Sequence, residues 1–172
     1  MSNASAIARF DASVNRAVDQ VRNPALDKFM YRLSSAADHS LIWHVAGALR
    51  GLRHDDLEGS ARFSAALGVE SALTNGPIKM LFERVRPLPY EDVEFRYGMR
   101  RPITSSFPSG HATAAFCAAT LMGGGPAWYV AAAAVASTRV YVKLHYASDV
   151  IAGAALGTVL GLAMRPFVHW RE

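Results

Sequence analysis

The chain has 172 residues, a formal charge of +4, 51% hydrophobic residues and 19% charged ones. That is enough for one domain with a real core, and no basic run interleaved with aromatics is present to grip nucleic acid. Cys117 is the only cysteine, which excludes an intrachain disulfide and a thiolate metal cluster and reads as a small buried side chain.

At the N-terminus, MSNASAIARFDASVNR lacks the apolar core and cleavage site of a secretory signal. Ile7, Phe10, Val14, Val18 and Val21 recur at spacings of three and four, which predicts an amphipathic helix. Such a helix lies on a membrane surface or packs on the rest of the chain. Asn23 followed by Pro24 reads as an N-cap and first helical position. The helix they open is expected to turn Leu26, Phe29, Met30 and Leu33 inward.

Four further apolar stretches follow: 41–52, 63–78, 112–138 and 150–164. The third is free of formal charge but is cut by Gly123-Gly124-Gly125-Pro126 into two helices. Most are shorter than the roughly 20 residues of a membrane span. The last carries Gly153, Gly157 and Gly161, a small residue every fourth position, so one helix face lets another backbone approach closely. A soluble bundle would place leucine there. The expectation is a single domain, 1–172, with amphipathic N-terminal helices over 1–37 and a transmembrane catalytic core over 38–167. It is all-α, a membrane-embedded bundle of about five membrane helices.

Three stretches carry chemistry: Lys79 to Arg86-Pro87, Pro108-Ser109-Gly110-His111, and Arg139 to His145 and Asp149. If the helices alternate direction, all three converge on one membrane face. Three cations, two histidines, a carboxylate and a glycine-bearing helix start then meet, an arrangement suited to a tetrahedral anion. Arginine forks pair with phosphate oxygens, and so do amides at a helix N-terminus. His145 and Asp149 are four apart and share a helix face. A carboxylate on one imidazole nitrogen leaves the other free as a nucleophile. His111 is left as the general acid. The cations already neutralise the developing charge, so no metal and no cofactor is expected.

The three stretches resemble the type 2 phosphatidic acid phosphatase family, lipid phosphate phosphatases that share a core with vanadium haloperoxidases. That family's pattern is K-x6-R-P, P-S-G-H and S-R-x5-H-x3-D. The chain keeps every spacing and departs once, with Thr138 in place of the serine before Arg139. The resemblance covers about residues 60–165. It implies attack by His145 to give a phosphohistidine, orientation of His145 by Asp149, and protonation of the leaving group by His111. Lys79, Arg86, Ser109, Gly110 and Arg139 would hold the phosphoryl oxygens.

RYGMRRPITSSFPSGHATAAF and the short chain look most like the small polyprenyl-phosphate branch. That implies a polyprenyl-linked phosphate monoester such as decaprenylphosphoryl-5-phosphoribose, in arabinan precursor synthesis for cell walls. Undecaprenyl pyrophosphate, phosphatidylglycerophosphate and phosphatidic acid stay open as substrates. A vanadate-dependent haloperoxidase and a lipid-binding scaffold are the rival readings, and the complete residue set weighs against a decayed site.

His39, His44, His54 and His169 match no motif, and His44 reads as a hydrogen-bonded packing residue. Glu70 is either functional or near a polar interface. In the loop 90–101, Arg100 and Arg101 are candidate head-group contacts or parts of a solvated loop. Lysine and arginine are denser on the face expected to hold the site, which places that face toward the cytoplasm.

Overall fold

The computed structural model describes residues 5–90, 101–123 and 125–171. Among these are seven α-helices and no strand: α1 Ala6–Val21, α2 Pro24–Ala36, α3 Leu41–Arg53, α4 Leu57–Leu73, α5 Gly110–Leu121, α6 Pro126–Tyr141 and α7 Ala147–Met164. Short polar residues set the starts. Ser5 Oγ accepts from the Ala8 amide, Asn23 Oδ1 from Leu26 and Asp56 Oδ1 from Gly59, each relieving an orphan donor of the first turn. Beyond α4 the chain runs through a π-turn, Thr74–Ile78, in which Gly76 leaves helical geometry and Pro77 has no amide hydrogen to give. This kink carries Lys79 to the mouth of the bundle.

Helix α5 is the central element and is buried on nearly all sides. Its closest neighbour is α7, and the glycine stripe is the reason. A Cβ added at Gly157 would lie 2.1 Å from the Thr113 carbonyl oxygen, and one at Gly153 would lie 2.6 Å from that of Ser109. Trp43, Phe63 and Leu67 of α3 and α4 close the other side of α5, with Val135 of α6. Three buried threonines donate within their own helices, Thr113 to Ser109 O, Thr120 to Phe116 O and Thr138 to Val135 O, and Thr120 also meets the Tyr129 hydroxyl of α6 at 3.0 Å.

Apolar side chains also face outward. Leu41, Val45, Leu49 and Leu52 form an exposed stripe on α3, and Val130, Ile151, Val159 and Leu162 stand out from α6 and α7. An exposed apolar belt around a core holding Glu70 and Arg139 suits a lipid-facing bundle. Among the described residues, one segment, Ala147–Phe167, is long and apolar enough to cross a membrane by length and composition. Five helices, α3 to α7, follow the two N-terminal ones, the number expected of the all-α bundle.

The N-terminal helices pack on the bundle in part by the faces the periodicity predicts: Val18, Leu26 and Met30 lie half-buried against Tyr31 and Tyr141, and Leu33 against the main core. Ile7, Phe10 and Val21 of α1 are exposed, as a helix lying on a membrane surface would leave them, and Asp11 is buried. On α2, Phe29 alone of the four expected residues points out, while Tyr31 and Ser34 are buried. Polar partners explain why Asp11 and Ser34 go inside: Asp11 pairs with Arg84, and Ser34 Oγ accepts from Arg139. A buried ion pair loses far more when turned to the wrong side than an exposed valine does.

Candidate active site

The kinked end of α4, the start of α5, the end of α6 and the turn before α7 meet at one end of the bundle. There Lys79, Arg86, Gly110, His111, Arg139 and His145 line a cavity of about 500 Å³. Ser35 at the end of α2 and Asp38, His39 and Ser40 of the turn after it enter the cavity, as do Glu70 and Ser71 of α4 and Asn75 of the π-turn.

His145 is almost fully buried in the turn between α6 and α7. Its Nδ1 lies 2.6 Å from the Ser106 carbonyl oxygen, which only accepts, so Nδ1 carries the hydrogen and Nε2 keeps its lone pair. Arg86 Nη1 lies 3.1 Å from that Nε2. Asp149 Oδ2 is 3.8 Å from Nδ1, too far for a hydrogen bond. The expected Asp149–His145 bond is therefore replaced by the Ser106 carbonyl. The cause is local: Asp149 Oδ1 accepts from Arg84 Nη1 at 2.5 Å, and Oδ2 from the Tyr146 amide at 2.8 Å. Burial drives the His145 pKa down to about 3, with Asp149 opposing and the Arg139 and Arg86 charges reinforcing, so the ring is neutral at physiological pH.

The cations are held in different ways. Lys79 Nζ donates to Asn75 Oδ1 at 2.9 Å, one helical turn back. Burial pushes its pKa down to about 8, helped by the Arg86 and Arg139 charges. Arg86 spreads its fork over the carbonyls of Pro102, Thr104, Ser105 and Leu144 and so shapes the cavity rim. Arg139 is buried, gives one Nη1 hydrogen to Ser34, and has an Nε without a partner among the described residues. His111 Nε2 lies 2.9 Å from Asp38 Oδ1. Burial raises the Asp38 pKa, but the His111 bond and charge, with Arg139, outweigh it and hold the carboxyl below the usual range.

Some expected contacts lie elsewhere. Ser109 is fully buried and does not line the cavity; its hydroxyl caps α5 by accepting from Ala112, and its amide donates to the Asp149 carbonyl. Gly110 does line the cavity, and a Cβ there would stand 2.8 Å from Asn75 Oδ1, the atom that holds Lys79. Arg101 donates to the Pro87 and Lys143 carbonyls and is not part of the lining. Arg100 lies outside the described residues. His44 bonds Ser64 between α3 and α4, as a packing histidine.

Sequence reasoning missed Ser34, Asp38, Asn75, Arg84 and Ser106. Asn75, one turn before Lys79, was within its reach. Asp38 and Ser34 lie far along the chain from their partners, His111 and Arg139, so no local spacing points to them.

Residues 60–172 match the family model described as the PAP2 superfamily. A decaprenylphosphoryl-5-phosphoribose phosphatase of Mycobacterium tuberculosis is 39% identical over 87 residues, covering 49% of this chain and 48% of that protein. A lipid A 1-phosphatase of Porphyromonas gingivalis is 40% identical over 80 residues, covering 40% of this chain and 18% of that one. The matches thus span about half or less of those relatives' length. The crystal structure of a transmembrane PAP2-type phosphatidylglycerolphosphate phosphatase from Bacillus subtilis superposes with a TM-score of 0.76 at 22% identity, over 96% of this chain and 87% of that chain. The fold is shared with that membrane phosphatase.

Proposed function

The chain belongs to the PAP2 superfamily, and on that premise we propose that it is an integral-membrane phosphatase that hydrolyses a lipid phosphate monoester through a phosphohistidine. One observation carries the reading: a neutral His145, its Nδ1 hydrogen held by a carbonyl, shares a cavity with Lys79, Arg86, Arg139 and His111. Lys79 and the Arg139 Nε receive phosphoryl oxygens, joined by the Arg86 fork as it moves off His145 Nε2. Nε2 attacks phosphorus, the P–N bond forms, and the ester P–O bond breaks. His111 gives a proton to the leaving oxygen as the P–O bond breaks, and the Asp38 carboxylate, 2.9 Å from its Nε2, holds and orients the ring. Water then attacks the phosphohistidine with His111 as base, releasing phosphate and restoring His145. The fixed cations meet the developing charge, so the reaction proceeds without a metal.

The other wall of the cavity supports a hydroxyl-bearing leaving group. Ser35, Asp38, Ser40, Glu70 and Asn75 offer acceptors and donors, and the buried Glu70 Oε2 has no partner among the described residues. A polyprenyl-linked phosphosugar of the decaprenylphosphoryl-5-phosphoribose kind fits this wall better than a plain polyprenyl pyrophosphate.

Phosphate release by detergent-purified protein in excess EDTA, across polyprenyl and glycerolipid phosphates, tests the proposal. EDTA-resistant turnover should fall at least about a thousandfold in His145→Ala, as expected when a nucleophile is removed. The phosphosugar lipid should give the highest kcat/KM. A His145→Ala protein with wild-type turnover sinks the mechanism.

A further inference from the structure

One charged residue within the first motif has no role in the scheme above. Arg84 extends away from the cavity and lies between two buried carboxylates, Asp149 behind His145 and Asp11 on α1. Its Nη1 donates to Asp149 Oδ1 at 2.5 Å and to Ser148 Oγ at 2.8 Å, and its Nη2 donates to Asp11 Oδ2 at 2.6 Å. Asp11 closes the ring. Its Oδ1 accepts from the Ser148 amide at 2.9 Å and its Oδ2 from the Ser148 hydroxyl at 2.7 Å. The guanidinium also lies 4.5 Å over the Tyr146 ring.

The main chain of Arg84 reaches the other side of the nucleophile. Its carbonyl accepts from the Ser106 amide at 2.9 Å, and its amide donates to Ser105 Oγ at 3.2 Å. Ser106 is the residue whose carbonyl holds His145 Nδ1. Arg84 thus fixes both groups that flank that nitrogen: the Ser106 carbonyl through its backbone and Asp149 through its side chain. Asp11 then offsets the charge that Arg84 brings, so Asp149 is not fully quenched and keeps negative potential beside His145. Asp11 lies outside the segment matched by the family model.

We propose that Arg84 and Asp11 are positioning residues for the nucleophile, and that α1 is therefore a working part of the active site. The inference rests on the phosphatase reading. Neither residue touches substrate, so losing either should slow phosphoryl transfer and leave phosphate binding intact.

The test compares Arg84→Gln, Arg84→Lys, Asp11→Asn and the Arg84→Gln/Asp11→Asn double variant in detergent, using kcat, KM and inhibition by inorganic phosphate and by vanadate. Vanadate mimics the five-coordinate transition state on His145, whereas inorganic phosphate requires only the cation cradle. Arg84→Gln should lower kcat about tenfold or more, as loss of a supporting hydrogen-bond partner does elsewhere. Vanadate inhibition should weaken by a similar factor, while KM and phosphate inhibition stay within about twofold. Arg84→Lys should recover part of kcat. Asp11→Asn should also lower kcat, and the double variant should be no worse than Arg84→Gln, because the two act as one chain.

A wild type that turns over beside an Arg84→Gln protein within twofold of it in kcat overturns this inference alone. So does a parallel loss of phosphate and vanadate binding, which marks general loosening. A folded wild type that hydrolyses no lipid phosphate removes the phosphatase reading and this inference with it. Should Arg84→Gln fail to fold, Asp11→Asn decides by the same vanadate-against-phosphate comparison.

Discussion

Lys79 has its charge set by where the chain leaves it. A lysine ordinarily titrates near 10.5, but burial and two arginines bring this one to about 8. Below pH 8 it is charged and able to bind phosphate; above, it is neutral. The kcat/KM of the wild type should therefore fall as pH rises through about 8, and Lys79→Arg should move that limb upward while keeping activity. Between pH 8 and 10.5 the unfolded chain binds the proton that the folded chain has lost, so stability rises over the same window. A melting temperature that holds or rises while kcat/KM falls separates titration from unfolding. Gly110 tests the same cation by geometry. Gly110→Ala pushes Asn75 off Lys79 Nζ and should raise KM severalfold with little change in melting temperature. Residue identities at the site were legible because the three motifs keep their spacing. The partner of His145 was not: i,i+4 spacing points to Asp149, but Arg84 and the Tyr146 amide occupy both of its oxygens.

Among the elements, α5 and α7 give the sharpest agreement between pattern and packing. Glycine every fourth residue forecasts a close helix pair, and Gly157 sits where its Cβ would meet the Thr113 carbonyl at 2.1 Å. Gly157→Val should force the pair apart and cost about 1–3 kcal/mol, the usual range for overpacking. Thermal unfolding in detergent measures it, and an unchanged melting temperature would refute the close approach. The pair also holds the site, since the Ser109 amide at the start of α5 bonds the Asp149 carbonyl of α7. Helix α1 shows where periodicity is incomplete. Val14 and Val18 are half-buried while Ile7, Phe10 and Val21 face out, and Asp11 is the residue that goes fully inside. Hydrophobic pattern decides a helix's orientation only when no charged partner competes, and Arg84 competes.

For the whole molecule, we propose an orientation in the membrane from the distribution of charge. Arg9, Arg16, Lys28 and Arg32 lie on the two N-terminal helices and Arg22 between them, and Asp11 and Asp19 tie α1 to the site-bearing end through Arg84 and Lys143. Arg50 and Arg171 lie at the other end, where Arg50 bonds the Met122 carbonyl and the Arg171 amide bonds Asp56. The positive excess favours a cytoplasmic site. Leu88→Cys gives an exposed thiol at that end, while the native Cys117 is fully buried. A membrane-impermeant maleimide should leave Leu88→Cys unlabelled in intact cells and label it after lysis; labelling of intact cells reverses the orientation. The sequence by itself determined the helical bundle, the glycine seam and most of the motif residues that gather at the cavity, Lys79, Arg86, Gly110, His111, Arg139 and His145, because helix period and motif spacing are local and survive in one dimension. Only the tertiary structure decided which carbonyl holds His145, that Asp38 meets His111, and that Asp11 reaches Asp149 through Arg84. Those contacts join residues far apart along the chain, and which oxygen accepts which hydrogen depends on every competing partner within about 3 Å.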